Sequence, residues 1–270
     1  MYFSDYLKNK TDKKSNKEII AKLNLFHPTF KNLDEVTFSR WINNKITPSN
    51  KKIALIVLFF KDDYINTISQ IKLKPTTKSN NKSMKIKQKK LSDPYFSFYD
   101  DINILEINSF QEFPDFHFPK IKKMINNANK ELKDSIKKII LFRGIQTYVY
   151  SIFLEIKDSF YFSMFQIKLN KGLYVITPPT YQTSNGNHRE ILFIIASYIS
   201  DFLKKDLSKI TVILMARTNA FNDYYESLGY KYTKKIVIDK KEYYLYEVTL
   251  IDHITSDTMI DIIKDFQNNK

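Results

Sequence analysis

Apolar residues in the first third of the chain recur at helical spacing. In the segment 17–26 they lie three or four residues apart, at Ile19, Ile20, Leu23 and Phe26. This spacing places side chains on one face of a helix. Ser15 or Asn16 can cap its first turn, and His27-Pro28 ends it. The pattern predicts an amphipathic helix over 17–26.

Two more helices are predicted directly downstream. Asp34 can cap a helix over 35–43, which ends where Asn44 tolerates a left-handed backbone conformation. Pro48-Ser49 then precede an apolar segment, 51–60, that favours a third helix. The N-terminal part of the chain is therefore expected to be all-α.

From about Ser92 the pattern changes to an α+β order. A helix or two is expected over 120–140, another over 189–204 and another over 220–228. Runs rich in Tyr, Phe, Ile and Val predict strands, at 147–156, 160–169, 172–176, 210–215, 231–238 and 243–250. The last stretch, 251–270, has an amphipathic pattern that suits either a dimer face or core packing.

The positive charge lies almost wholly in the first third of the chain. The formal net charge is +14, and residues 1–90 hold 20 Lys and Arg against 7 Asp and Glu, whereas residues 91–270 hold 23 against 22. Within 71–90 there are eight Lys and no acid, a composition typical of a linker. This asymmetry predicts a polyanion-binding module joined to a nearly neutral domain.

Composition also excludes several classes of site. Without Cys there is no disulfide, thiolate zinc site, iron–sulfur cluster or cysteine nucleophile. Four Gly are too few for a Rossmann fingerprint or a P-loop. The four His are scattered, so no metal is expected. No long apolar run or signal-peptide order is present, and we expect a cytoplasmic protein.

The segment Leu33–Ser49, LDEVTFSRWINNKITPS, resembles the second half of the XRE (Cro/C1-type) helix-turn-helix. That resemblance implies a DNA-reading helix in which Phe38 and Trp41 face the core. It implies DNA contacts from the residues on the other faces, namely Glu35, Thr37, Ser39, Arg40, Asn43 and Lys45. Asn44 replaces the usual glycine, and the preceding turn, 25–33, is longer than is common.

The resemblance implies binding to double-stranded DNA as a homodimer. The alternative for the same helices is a small bundle used for dimerisation, with Trp41 as an ordinary core residue. DNA binding explains the local charge, which the bundle leaves unexplained.

The segment Arg217–Tyr230, RTNAFNDYYESLGY, resembles the late helix and turn of the GNAT acetyltransferase superfamily. That resemblance implies a mixed central sheet and acyl-CoA, such as acetyl-CoA, held between two parallel strands, here 172–177 and 210–215. Its pyrophosphate would rest on the loop and helix start that follow the first strand. The implied cofactor-binding residues are Val175, Gln182, Asn185, Gly186, Asn187, His188 and Arg189.

Tyr225 takes the place of the general acid that protonates the departing CoA thiolate in that superfamily. No general base stands out, and Glu155 is a candidate because its strand can face the acceptor. The loop around Gly186 lacks the further glycines of the superfamily pattern, and side chains at those positions crowd the phosphates.

The sequence thus predicts a helix-turn-helix domain at 1–68, a Lys-rich linker at 69–91 and a GNAT-like α+β domain at 92–270. The leading interpretation is a DNA-binding transcriptional regulator whose second domain senses an acyl ligand. The alternative is an active N-acetyltransferase tethered by a DNA-binding head. A toxin–antitoxin type fusion would share both features.

Overall fold

The protein is divided into two compact units in the computed structural model. The helical unit comprises Met1–Lys78 with Ile254–Lys270, and the sheet unit comprises Ser79–His253. The structure describes residues 1–12, 14–74, 103–107, 127, 130–132, 134–143, 148–177, 206–216, 222, 225, 226, 229–238 and 240–268.

The helical unit begins with five helices. They are α1 (Phe3–Thr11), α2 (Asn16–Phe26), α3 (Glu35–Ile42), α4 (Asn50–Phe59) and α5 (Tyr64–Gln70). The three predicted helices are confirmed, each within one residue of its expected start. Ser15 is the N-cap of α2, but its side chain makes no cap hydrogen bond, whereas the Ser49 hydroxyl accepts one from the Lys52 amide in α4.

The predicted linker begins too early in the chain. Residues 69 and 70 belong to α5, and Ile71 is fully buried. The Lys72 amide donates to the Met1 carbonyl, so this stretch packs on the helical unit. Because Ile71 lies beside lysines in the sequence, the composition did not indicate that this helix end is buried. The rest of the predicted linker, 75–91, lies outside the described residues.

Two helices close the chain, α6 (Leu250–Ile254) and α7 (Asp257–Asn268). The expected amphipathic helix is broken between them at Thr255 and Ser256, which are buried. Helix α7 contacts α4 and α5 and buries Met259, Ile260 and Ile263. The chain from Ile254 onward therefore belongs to the helical unit, where α7 packs in the core, whereas the sequence suggested a second domain running to residue 270.

Two hydrogen bonds to backbone carbonyls, one buried and one partly buried, join the last part of the chain to α5 and to Ile71. The Tyr64 hydroxyl donates to the Ile254 carbonyl at 2.8 Å, and burial raises the pKa of Tyr64. The Lys264 ammonium donates to the Ile71 carbonyl at 2.7 Å. Both bonds satisfy backbone carbonyls that would otherwise lose their hydrogen bonds to water on burial.

Among the residues that the structure describes, the sheet unit contains a seven-stranded mixed sheet and a two-stranded hairpin. In chain order the strands are β1 (Asn103–Ile107), β2 (Ile136–Arg143), β3 (Tyr148–Ile156), β4 (Phe160–Phe162), β5 (Ile167–Leu169), β6 (Gly172–Thr177), β7 (Ile210–Ala216), β8 (Tyr232–Ile238) and β9 (Lys241–Thr249). The large sheet has the order β1-β2-β3-β6-β7-β9-β8, in which β6 and β7 run parallel and the other neighbours antiparallel.

Two predicted elements of this unit are wrong. The helix expected to reach residue 140 gives way to β2 at Ile136, because a run of β-branched isoleucines favours a strand. The single strand expected over 160–169 is a β4–β5 hairpin around a short 3-10 turn, in which Gln166 has a left-handed φ of 51°. A period-2 run gives no sign of such a reversal when its turn contains neither Gly nor Asn.

The hairpin packs on one face of the large sheet. Its Phe162 and Phe165 are fully buried. They belong to one core cluster with residues from several strands of the large sheet, including Ile152, Ile176, Ile213 and Leu245. The Gln166 amide donates to the Val237 carbonyl of edge strand β8 at 2.9 Å. The hairpin thus covers the core and satisfies part of an exposed sheet edge.

Replacing Ile263 in α7 by Ala tests whether the last helix stabilises the first part of the chain. The side chain is fully buried, and its loss is expected to lower the free energy of unfolding by about 2–5 kcal/mol. Trp41, the only Trp in the sequence, lies in the helical unit, so urea denaturation followed by its fluorescence reports that unit.

The matched control is Leu25→Ala, which truncates an apolar side chain in the same unit that is 89% exposed. Its free energy of unfolding is expected to change by less than about 0.5 kcal/mol. An Ile263→Ala transition indistinguishable from that of the control would contradict the role of α7.

Candidate functional site

Helix α3 presents one buried face and one exposed face. Phe38 is fully buried and Trp41 is 3% exposed, and their rings meet edge to face with centroids 6.1 Å apart. The Lys52 ammonium from α4 lies 5.6 Å from the centre of the Trp41 ring. This packing fixes the rotation of α3 about its axis, so its opposite side faces outward.

Asp34 fixes the start of α3. Its carboxylate accepts from the Thr37 backbone amide at 2.6 Å and from the Thr37 hydroxyl at 3.3 Å. Both hydrogen bonds lower the pKa of Asp34, and the bond from the backbone amide has the larger effect. This is expected for a charge-assisted N-cap. The carboxylate is thus ionised at neutral pH and holds the first turn.

The predicted contact residues of α3 lie on or beside its exposed face. Glu35, Arg40, Asn43 and Lys45 are exposed, and Thr37 and Ser39 are half-buried. The Thr37 hydroxyl is engaged with Asp34. The Asn43 amide donates to the Ser39 carbonyl at 3.0 Å and to the Ser39 hydroxyl at 3.2 Å.

The turn after α3 is held by backbone bonds and by the chain that follows α5. Asn44 has the expected left-handed φ, 55°, and the amide of Lys45 donates to the Arg40 carbonyl at 2.9 Å. The Asn50 side chain makes two hydrogen bonds with the backbone of Lys74, whose ammonium donates to the Thr47 carbonyl at 2.7 Å. Sequence reasoning missed this clamp because its partners are 24 residues apart.

In the sheet unit the structure describes only part of the predicted acyl-CoA site. Val175 is fully buried on β6 and pairs with Val212 of the parallel strand β7. The pairing continues to Thr177 and Leu214. The remaining predicted cofactor residues lie outside the described residues, namely Gln182, Asn185, Gly186, Asn187, His188 and Arg189.

Tyr225 lies in a cluster of aromatic side chains and is 5% exposed. Its ring stacks on Tyr230 with centroids 6.3 Å apart and meets Tyr246 at 5.0 Å. The turn is closed by Gly229, with φ 81°, and by the Tyr230 amide donating to the Tyr225 carbonyl at 3.1 Å. The Tyr246 hydroxyl donates to the Asn222 side chain.

His253 completes this cluster and was not predicted to belong to it. Its Nδ1 lies 3.1 Å from the Tyr230 hydroxyl, and burial lowers its pKa from 6.5 to about 4. The histidine is therefore neutral at pH 7 and can accept a hydrogen bond from the Tyr230 hydroxyl. Glu155, the candidate base, forms an ion pair with Lys137 at 2.8 Å, and its side chain is 40% exposed.

Within the described ranges, no group of three or more His, Cys, Asp or Glu is placed to hold a metal ion. None of the helices in the part of the chain that the structure describes is both long and apolar enough to cross a membrane.

Comparisons with known proteins do not assign the chain to a family. No family model and no curated protein matches the sequence. Among solved structures, the chain is similar to one from a crystal structure of the NatC complex bound to Gag peptide and CoA. That match has 10% identity and a TM-score of 0.30, and it covers 55% of this chain and 99% of the other. A likeness this weak carries no argument about function.

The buried His253 predicts a pH-dependent stability of the sheet unit. The unfolded chain takes up a proton near pH 6.5, whereas the folded protein does so only near pH 4. Stability is therefore fully present above about pH 7 and falls toward pH 4, by about 3 kcal/mol from this residue. In His253→Gln this part of the pH dependence should disappear, as measured by urea denaturation followed by near-ultraviolet circular dichroism of the tyrosines.

The control is Tyr230→Phe, which removes the hydroxyl but leaves His253 buried. Because burial is the cause of the pKa shift, this variant should keep most of the pH dependence. Equal pH profiles for wild type and His253→Gln would refute the assignment.

Proposed function

We propose that the helical unit binds double-stranded DNA through α3, as in an XRE-type helix-turn-helix, and that the protein is a transcriptional regulator. The observation that carries the proposal is the outward face of α3, where exposed Arg40 lies away from the buried Phe38 and Trp41, with exposed Lys45 in the turn that follows the helix. An α-helix with such a face fits the major groove, which is wide enough to admit it.

Charge supports this proposal. The first 90 residues carry 20 Lys and Arg against 7 Asp and Glu. Such an excess of positive charge attracts the DNA phosphate backbone whatever the base sequence. The resemblance to the XRE family implies phosphate contacts from Ser39 and Lys45. Arg40 can make a bidentate contact to guanine, and Glu35 can accept a hydrogen bond from cytosine.

The composition of the exposed face also favours DNA over the dimerisation bundle. In α3 the exposed side chains are Glu35, Val36 and Arg40, a mainly charged set that suits a polar groove better than a dry protein interface. We further propose that the protein binds as a homodimer, which would place two half-sites about 34–36 Å apart. Selection of bound duplexes from a random pool tests sequence-selective DNA binding. The spacing of half-sites in the selected duplexes tests the homodimer.

Replacing Arg40 by Ala should remove most of the sequence selectivity while leaving the fold intact, because the side chain is exposed. The preferred duplex is expected to bind about tenfold to a hundredfold more weakly, measured by fluorescence anisotropy against a scrambled duplex. Circular dichroism checks the fold.

Arg40→Lys is the matched control because it keeps the charge but loses the planar fork. It should keep the salt dependence of binding and still lose selectivity. Unchanged selectivity in Arg40→Ala would refute α3 as the reading helix.

A second candidate function belongs to the sheet unit. We propose that it binds an acyl-CoA, either as a sensor or as an active N-acetyltransferase. The observation that favours it is the parallel β6–β7 pair in an otherwise antiparallel sheet, together with the turn at Gly229 that follows Tyr225. The resemblance to the GNAT superfamily implies that the ligand lies at such a pair.

Titration calorimetry with acetyl-CoA tests this second function directly. Saturable binding is expected for the full chain, and absence of heat would refute an acyl-CoA site. For the enzyme, free CoA thiol should appear when acetyl-CoA is mixed with peptides bearing free N-terminal amines. Tyr225→Phe should keep binding and lose that release, whereas binding without release in the wild type would favour a sensor.

A further inference from the structure

Val36 is an apolar residue at the centre of the exposed face of α3. Its side chain is 61% exposed, although it is the second residue of the helix and lies between charged and polar neighbours. Because about 100° separates successive residues of an α-helix, Val36 lies about 170° from the midpoint of Phe38 and Trp41. The packing of those two rings therefore makes Val36 the most outward position of the helix.

The side chains around Val36 form a single outward stripe. Arg40 and Asn43 follow it by four and seven residues, so all three share one side of the helix. Polar groups in and beside the stripe already have partners inside the protein. The Thr37 hydroxyl bonds to Asp34, and the Asn43 amide bonds to Ser39.

Valine has no hydrogen-bonding group in its side chain, so it cannot read the donor and acceptor pattern of a base edge. Major-groove base edges carry one apolar group, the C5-methyl of thymine. A β-branched side chain is also stiff at χ1 in a helix, so Val36 loses little rotamer freedom when its methyl groups are covered. The neighbouring Arg40 and Lys45 supply the positive charge that a DNA groove requires.

We infer that Val36 contacts the C5-methyl of a thymine in the major groove and makes the protein selective for that base. This inference rests on the proposed DNA-binding function. It adds a specificity-determining residue that the sequence pattern did not suggest, because an apolar residue in a helix is usually assigned to the core.

The test uses the full chain and the duplex recovered by selection from a random pool. Each thymine is replaced in turn by deoxyuridine, which removes only the methyl group. For the wild type, one position per half-site is expected to weaken binding about threefold to fivefold. Val36→Ala should weaken binding to the unmodified duplex by a similar factor. For this variant, replacing that thymine by deoxyuridine should weaken binding no further.

The matched control is Val237→Ala, the same substitution at a valine that is 54% exposed on the edge strand β8. It should keep the wild-type sensitivity to deoxyuridine. If Val36→Ala keeps that sensitivity, or if the wild type is selective yet insensitive at every thymine, the inference is wrong and the proposed function stands. Absence of any sequence-selective binding would refute the proposed function itself.

Discussion

The burial of Phe38 and Trp41 is the constraint on which the candidate interface depends. Two large aromatic side chains on one side of a short helix leave one favourable rotation of that helix about its own axis. Exposing either ring to water would cost about 3 kcal/mol. The Asp34 cap and the turn at Asn44 fix the two ends of the same helix. Every outward position, including that of Arg40, follows from that rotation.

The helical unit is completed by residues from the far end of the chain. Helix α7 buries Ile260 and Ile263 in it, and the Tyr64 hydroxyl bonds to a backbone carbonyl 190 residues away. The sheet unit is therefore inserted in the sequence between α5 and the closing helix. This connectivity means that the stability of the N-terminal helices includes contacts that a fragment ending at residue 74 would lack.

The helices α2, α3 and α4 were predictable because local patterns specify them: caps, breakers and a helical period. The same holds for β3, β6, β7 and β8, whose β-branched and aromatic runs lie close to the expected bounds. The β4–β5 hairpin, the packing of Ile71 and the return of α7 were not predictable, because long-range packing decides them. At the candidate site, the exposure of Arg40 was predictable from its motif, whereas the exposure of Val36 and the burial of His253 needed the structure.

Charge and shape have separate consequences for the proposed DNA complex. Any basic bundle attracts phosphate, and that attraction weakens with salt without distinguishing sequences. Selectivity needs side chains held in place, and the Arg40 backbone is held by the α3 helix and by the turn amides that bond to its carbonyl. The Asn50–Lys74 clamp fixes the chain behind that turn. Under the proposed function, these hydrogen bonds would position α3 to distinguish base sequences, which the attraction of a basic surface alone does not do.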